Sequence, residues 1–312
     1  MKSVRAKIVV VWLVLMSPVI ALATVIYLTS IGFFGSLPTF DQLENPKNSL
    51  ATEIISEDGK VLGKYFYENR SNIKFEELPQ NLVNALIATE DVRFRKHTGI
   101  DVRALLRALK GQLLRQDAGG ASTVTQQLAK MLFTKKPSSG FERIMQKLTE
   151  WIIAVRLEKQ YTKDEIIAMY FNKYDFVNNA VGIKSAAQVY FNTTPAELST
   201  IESAMLVGML KNSALYNPNR RDSLTRARRN VVLSQMEKYN LLEDGEDLDS
   251  LQAKPIILDF KKASHNEGLS PYLREHLRIG FLKEWCANNN KPDGTPYNLY
   301  TDGLKVYTTI NS

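Results

Sequence analysis

ATEDVRFRKHTGID, residues 88–101, is where an apolar helix gives way to a loop dense in chemistry. Upstream, Leu82, Leu86 and Thr89 follow Pro79 at four- and three-residue steps, the spacing of one helix face. Downstream, Ala104, Leu105, Ala108 and Leu113 resume that spacing. The stretch therefore predicts a helix ending on adjacent carboxylates, Glu90 and Asp91, followed by Phe94, His97 and a Gly99-Ile100-Asp101 turn. Nothing in helix electrostatics favours acids at a C-terminus, where the dipole is already negative. A carboxylate kept there suits a general base working near neutral pH. The simpler alternative is surface pairing of Glu90 and Asp91 with Arg93 or Arg95, which is common and weak.

Outward from this point the chain stays helical. Windows 121–133, 141–160, 163–172, 182–191, 195–211 and 222–239 carry apolar residues at three- and four-residue spacing, several opened by Ser, Thr or Pro. Before them, TEIISEDGKVLGKYFY (residues 52–67) places two β-rich runs around Asp58-Gly59, a hairpin signal with strands near 52–56 and 61–67. After them, acidic turn-rich sequence from Glu243 to Asp249 marks a boundary, and the alternating GLKVYTTI (303–310) reads as a strand. The strand near Leu304 to Thr309 is expected to pair with the hairpin, since each is too short to be stable alone.

The N-terminus reads as a membrane anchor. No charged residue occurs from Ile8 to Phe40, and Ile8 to Phe34 exceeds the roughly 20 apolar residues that cross a bilayer. A cleaved signal peptide would have a shorter apolar region. Lys2, Arg5 and Lys7 precede the run and Asp41 and Glu44 follow it, which places the rest of the chain outside the cell membrane. Pro18 lies mid-span, where a kink is tolerated. Net charge is +7, gathered between Arg93 and Lys147. Such a surface suits anionic headgroups or phosphorylated substrates, and the outward placement argues against nucleic acid. Cys286 is the only cysteine, which excludes an intrachain disulfide, a multi-cysteine zinc site and a redox pair.

Two further stretches carry chemistry. In GGASTVTQQLAKMLF (119–133), Gly119 and Gly120 allow close backbone approach, while Ser122 and Thr123 cap a helix and leave amide donors for an anion. Lys130 lies two turns on, and Gln126 and Gln127 could equally be structural amides. The stretch lacks the Gly-Lys-Ser/Thr of a nucleotide-binding loop. In RIMQKLTEWIIAVRLEKQY (143–161), Arg143, Lys147, Glu150 and Ala154 share one helix face. Lys147 and Glu150 read either as a surface salt bridge or as a cation beside a second functional carboxylate. A Ser-x-x-Lys at Ser71 to Lys74 has no Lys-Thr-Gly or Ser-x-Asn partner and reads as chance.

Together the three stretches resemble the peptidoglycan glycosyltransferase domain, the family 51 glycosyltransferases of class A penicillin-binding proteins and monofunctional transglycosylases. Glu90, Asp91, Phe94, His97, Gly99 and Asp101 match the first motif. Gly120, Ala121, Ser122, Thr123, Thr125, Gln126 and Gln127 match the second, with Lys130 in place. Lys147 and Glu150 match the third, but Gln146 and Thr149 stand where many members carry Arg and Lys. KDEIIAMYFN (163–172) and VGIKSAAQVYF (181–191) resemble the fourth and fifth, with Phe171 in a usual Leu position. SPYLREHLR (270–278) and TDGLKVYTTI (301–310) resemble the linker toward a transpeptidase domain, so the chain reads as the N-terminal part of a bifunctional protein.

The resemblance implies a mainly α, lysozyme-like glycosyltransferase domain with an N-terminal transmembrane helix and a small β-containing linker module. The expected divisions are 1–40 for cytoplasmic tail and anchor, 41–77 for connector and hairpin, 78–240 for the glycosyltransferase domain and 241–312 for the linker. It implies polymerisation of lipid II onto a growing glycan strand with inversion at the anomeric carbon, at the bacterial inner membrane. Glu90 would be the base and Glu150 would organise the pyrophosphate side. Asp91, Phe94, His97, Ser122, Thr123, Gln126, Gln127, Lys130, Arg143 and Lys147 would bind substrate. A Mg²⁺ or Mn²⁺ ion at Glu150 is implied, with no organic cofactor. Membrane lipid and cell-wall synthesis proteins are the implied partners. The segment around Leu132, Phe133, Lys135, Lys136, Pro137 and Phe141 would dip into lipid. The rivals are a lytic enzyme of similar shape, which would also use a helix-end Glu, and a membrane-tethered scaffold with relic motifs.

Overall fold

Helix α1 runs from Lys2 to Ser30 in the computed structural model, which describes residues 2–33, 52–65, 73–115, 119–133, 137–261, 270–292, 294–300 and 302–312. Strands β1 (Thr52–Ile55) and β2 (Val61–Tyr65) come next. Seven helices follow: α2 (Gln80–Glu90), α3 (Val102–Leu113), α4 (Val124–Phe133), α5 (Gly140–Gln160), α6 (Lys163–Lys173), α7 (Ile183–Phe191) and α8 (Thr200–Met209). Then come α9 (Asp222–Lys238), α10 (Leu248–Ala253), α11 (Pro271–His276), α12 (Lys283–Asn288) and strand β3 (Lys305–Tyr307). The fold is mainly helical with one small sheet. It divides into two compact units, one of residues 1–44 and 95–166, the other of 45–94 and 167–312.

In the first unit α4 packs on α5, and the end of α1 meets α5, where Arg156 Nη2 donates to the Ser30 carbonyl at 3.4 Å. Helix α5 starts cleanly because Ser139 accepts from the Glu142 amide while Ser138 donates to the Glu142 carboxylate. Helix α3 is capped by Asp101, whose carboxylate accepts from the amides of Arg103 and Ala104 at 3.0 and 3.1 Å. The expectation of a membrane span is not met in full: among the described residues no helix is long and apolar enough to cross a membrane. What the structure has there is the 29-residue α1, with Ile8 to Val14 each more than half exposed.

In the second unit α2, α8 and α9 pack on one another. Leu82, Val83, Ala85 and Leu86 are at most 1 % exposed, each such aliphatic contributing roughly 1.5–3 kcal/mol of burial for the larger side chains. The window 195–211 is two elements, a turn at Pro195–Glu197 and then α8, because Ser199 caps the new helix in a reciprocal box with Glu202. The sheet order is β2-β1-β3. β1 pairs antiparallel with β2 and parallel with β3, with Ile54 opposite Val306, so the tail strand does join the hairpin as expected. Ile54, Leu62 and Tyr65 form a small core with Leu282, Cys286 and Leu299. A π-helical stretch, Leu277–Leu282, links α11 to α12. The expected strand residues 66–67, Ser71, Lys135 and Lys136 lie outside the described residues.

Candidate active site

Glu90 is the last residue of α2. Asp91 leaves the helix at φ −159° and ψ 74°, its amide still donating to Ile87 at 3.2 Å. The helix is held in register by the buried Asn81, which donates to the Leu198 carbonyl at 2.9 Å and accepts from Ser203 at 3.0 Å. Glu90 Oε1 stands 3.9 Å from Arg228 Nη2, with side chains only 16 % and 13 % exposed. Arg228 comes from α9 and lies across α8 at Gly208, where a Cβ would come within 3.2 Å of Arg228 Cγ. Tyr170 and Tyr174 stack 6.2 Å apart near the same carboxylate. Burial, then the Glu90 charge, pushes the Tyr170 phenol up. Tyr174 is pushed up to about 12, by burial first and with the charges of Glu90 and Asp175 adding to it. Both phenols thus stay neutral, and Tyr174 Oη donates to the Leu210 carbonyl at 2.9 Å. The helix-end carboxylate therefore has the Arg228 cation and two neutral phenols near it. Arg95, weighed from sequence as a partner for Glu90, pairs instead with Asp164 at 2.7 Å.

Glu150 belongs to the other unit. It is 4 % exposed on α5, and Lys147 one turn earlier donates to its Oε2 at 2.9 Å and to Ser122 Oγ at 3.0 Å. A buried carboxylate is costly without such a partner. Ser122 thus joins the two α5 residues, while Lys130 and Arg143 are exposed on α4 and α5. Thr123 and Gln126 face inward, 2 % and 0 % exposed, and both donate to the Gly99 carbonyl, at 2.7 and 3.2 Å. Phe94 is fully buried, and Asp91 and His97 nearly so. Gln127 is half-buried. Phe94, Thr123 and Gln126, expected from sequence to bind substrate, lie inside the protein, and Thr123 and Gln126 hold the loop that follows Glu90 at Gly99. Asp101 likewise acts as a helix cap.

Among the described residues no group of three or more His, Cys, Asp or Glu side chains is placed to hold a metal. The Glu150 carboxylate is engaged by Lys147. This donor set does not form a resident site for Mg²⁺ or Mn²⁺, which prefers near-octahedral oxygen coordination and commonly takes it from substrate phosphates. Sequence reasoning missed Arg228, Tyr170 and Tyr174. The two tyrosines are four apart, Tyr170 in the last turn of α6 and Tyr174 just past its end, and could have been found by that spacing; Arg228 sits in the basic run RARRN, where nothing marks one arginine from the next.

The transglycosylase family model matches residues 58–237. The chain belongs to the transglycosylase family. Penicillin-binding protein 1A of Pseudomonas aeruginosa is 34 % identical to this transglycosylase over 279 residues, covering 89 % of the chain and 32 % of that protein. Penicillin-binding protein 1A of Escherichia coli K12 is 33 % identical over 275 residues, covering 88 % and 30 %. The transglycosylase chain thus spans about a third of the length of the curated relatives it matches. Among solved structures, penicillin-binding protein 1A from Haemophilus influenzae aligns with a TM-score of 0.43 at 22 % identity, over 85 % of this chain and 28 % of that one.

Proposed function

We propose that this transglycosylase is a peptidoglycan glycosyltransferase of lysozyme-like fold that polymerises lipid II into glycan strands, inverting the anomeric carbon and releasing polyprenyl pyrophosphate. The observation that carries the reading is the Ser122-Lys147-Glu150 cluster together with a shielded helix-end Glu90 in a chain of this family. Glu90 takes the proton from the acceptor 4-hydroxyl as that oxygen attacks the anomeric carbon of the growing strand. A positioned base typically contributes about 10²–10⁴-fold. Arg228 and the neutral phenols Tyr170 and Tyr174 hold the carboxylate's surroundings fixed, so little reorganisation is needed as its charge is lost. On the leaving side, negative charge grows on the pyrophosphate. Lys147, oriented by Glu150, and the exposed Lys130 and Arg143 supply the cations that stabilise it. No step is assigned to a resident metal.

Helix α1 is the proposed inner-membrane anchor, with Lys2, Arg5 and Lys7 on the cytoplasmic side and the chain that follows the helix outside. Support comes from the sequence, which carries no charge between Ile8 and Ser30. A second lipid contact is proposed for α3, whose Val102, Leu106, Leu109 and Leu113 form an apolar stripe, each at least 55 % exposed. Arg103, Arg107 and Lys110 flank that stripe, the composition of a helix lying at a lipid surface. Phe141 and Ile144 on α5 are 65 % and 62 % exposed and extend the proposal to the segment first expected to dip. Lipid II, the growing strand, membrane lipid and cell-wall synthesis proteins are the proposed partners. Purified protein given lipid II should yield long glycan strands. Release of fragments from finished peptidoglycan, with no polymer from lipid II, would assign a lytic enzyme instead.

A further inference from the structure

The turn between α5 and α6 holds a charge that local rules disfavour. Lys163 opens α6, the positive end of a helix, whereas its neighbours Asp164 and Glu165 suit that end. Tyr161 turns the chain out of α5 at φ −116° and ψ 145°, and Lys163 folds back. Its ammonium donates to Glu158 at 2.7 Å and to the His97 carbonyl oxygen at 2.6 Å. The Glu158 carboxylate also accepts the Thr125 hydroxyl at 2.6 Å. The lysine and glutamate side chains are 21 % and 5 % exposed. Apolar side chains of similar volume often stabilise such a place as well as a shielded ion pair does, so the pair is weak evidence for stability and better evidence for a required geometry. A local rule broken with a compensating tertiary contact commonly marks a functional demand. The geometry set here is the position of the His97 carbonyl.

That carbonyl lies in the loop that continues the chain from Glu90 and Asp91. Within the same unit the loop is held at Arg95 by Asp164, at Gly99 by Thr123 and Gln126, and at Asp101 by the start of α3. The Arg95 contact is open to solvent, at 50 % and 44 % exposure. The Lys163 contact is charged and shielded. We propose that Glu158 and Lys163 form a positioning pair that fixes residues 95–101 and so sets the turnover of the glycosyl transfer, without touching substrate. The inference rests on the reading of Glu90 as the base.

The test uses the full chain, with Lys163→Met, Lys163→Arg and Glu158→Gln. Amide hydrogen exchange is followed at residues 95–101 and in α8, and kcat and KM are measured on lipid II. Lys163→Met should raise exchange at 95–101 about tenfold or more while leaving α8 unchanged. The same variant should lower kcat about tenfold or more with KM within about twofold, as a displaced catalytic segment does. Lys163→Arg, which keeps the donor and the charge, should recover both within about threefold. Wild-type exchange at 95–101 in Lys163→Met would overturn the proposal, as would a loosened loop with unchanged kcat. If Lys163→Met does not fold, Glu158→Gln keeps an acceptor for Thr125 and removes the charge. It should shift exchange and kcat in the same direction, and no shift would again overturn the proposal. If the wild type makes no polymer, the functional reading fails, and exchange at 95–101 still decides whether the pair holds the loop.

Discussion

Gly99 sits at φ +89°, and a Cβ there would stand 2.9 Å from the Ala154 carbonyl carbon and oxygen. Only glycine accepts both conditions. Its own carbonyl receives Thr123 and Gln126, so the residue joins the loop after Glu90 to both α4 and α5. Gly99→Ala is therefore expected to cost roughly 2–3 kcal/mol, read as a lowered urea midpoint at unchanged slope. Arg228 is the residue-scale test of the surroundings of Glu90. Its guanidinium is 3.9 Å from the carboxylate, too long for a direct hydrogen bond yet close enough for an electrostatic contribution in a shielded place. Arg228→Met, similar in length and apolar, should lower kcat on lipid II about tenfold or more with KM little changed. An unchanged kcat would remove Arg228 from the site.

Helix α3 shows what periodicity conveys and what it does not. The spacing of Ala104, Leu105, Ala108 and Leu113 correctly predicts a helix, but Ala104 lies inside while Leu113 is 76 % exposed. Apolar residues occupy two faces, one toward the protein and one open, and a 3.6-residue period reports both alike. The open face carries a prediction. Leu106→Glu with Leu109→Glu should slow polymerisation of vesicle-embedded lipid II several-fold and leave the rate in detergent micelles nearly unchanged. Equal rates in vesicles would remove α3 from the lipid surface. Elsewhere the hairpin at Asp58-Gly59 was legible because turn chemistry is local, and so was the tail strand. Its place beside β1, parallel rather than antiparallel, was not, since that depends on the core of Ile54, Leu62 and Tyr65. The short helices α10 to α12 and the π-helical stretch were missed because six residues are too few to show a period. The pairing of Lys147 with Glu150 was legible from their three-residue step along one helix. Arg228 was not, because its approach to Glu90 follows from how α2, α8 and α9 pack.

At the scale of the whole molecule, four shielded phenols, Tyr65, Tyr170, Tyr174 and Tyr190, are raised by burial and tie stability to alkaline pH. Tyr65 and Tyr174 are each pushed up to about 12, by burial first. An unfolded tyrosine ionises near about 10. The folded chain therefore keeps protons that the unfolded chain loses, so this stability is fully present below about pH 10 and is lost as pH rises toward about 12. Urea midpoints should fall across that window, and Tyr174→Phe should flatten the fall. A midpoint independent of pH there would contradict the assignment. The proposed activity rests on the family, on the Ser122-Lys147-Glu150 cluster and on the shielded Glu90, and one comparison tests it most directly. Wild type and Glu90→Gln, shown by exchange to be equally folded, are given lipid II and the products are sized. Long strands from the wild type and a loss of about 10²–10⁴-fold in the variant are the expected result. Equal polymer from both, or none from the wild type, would contradict the account.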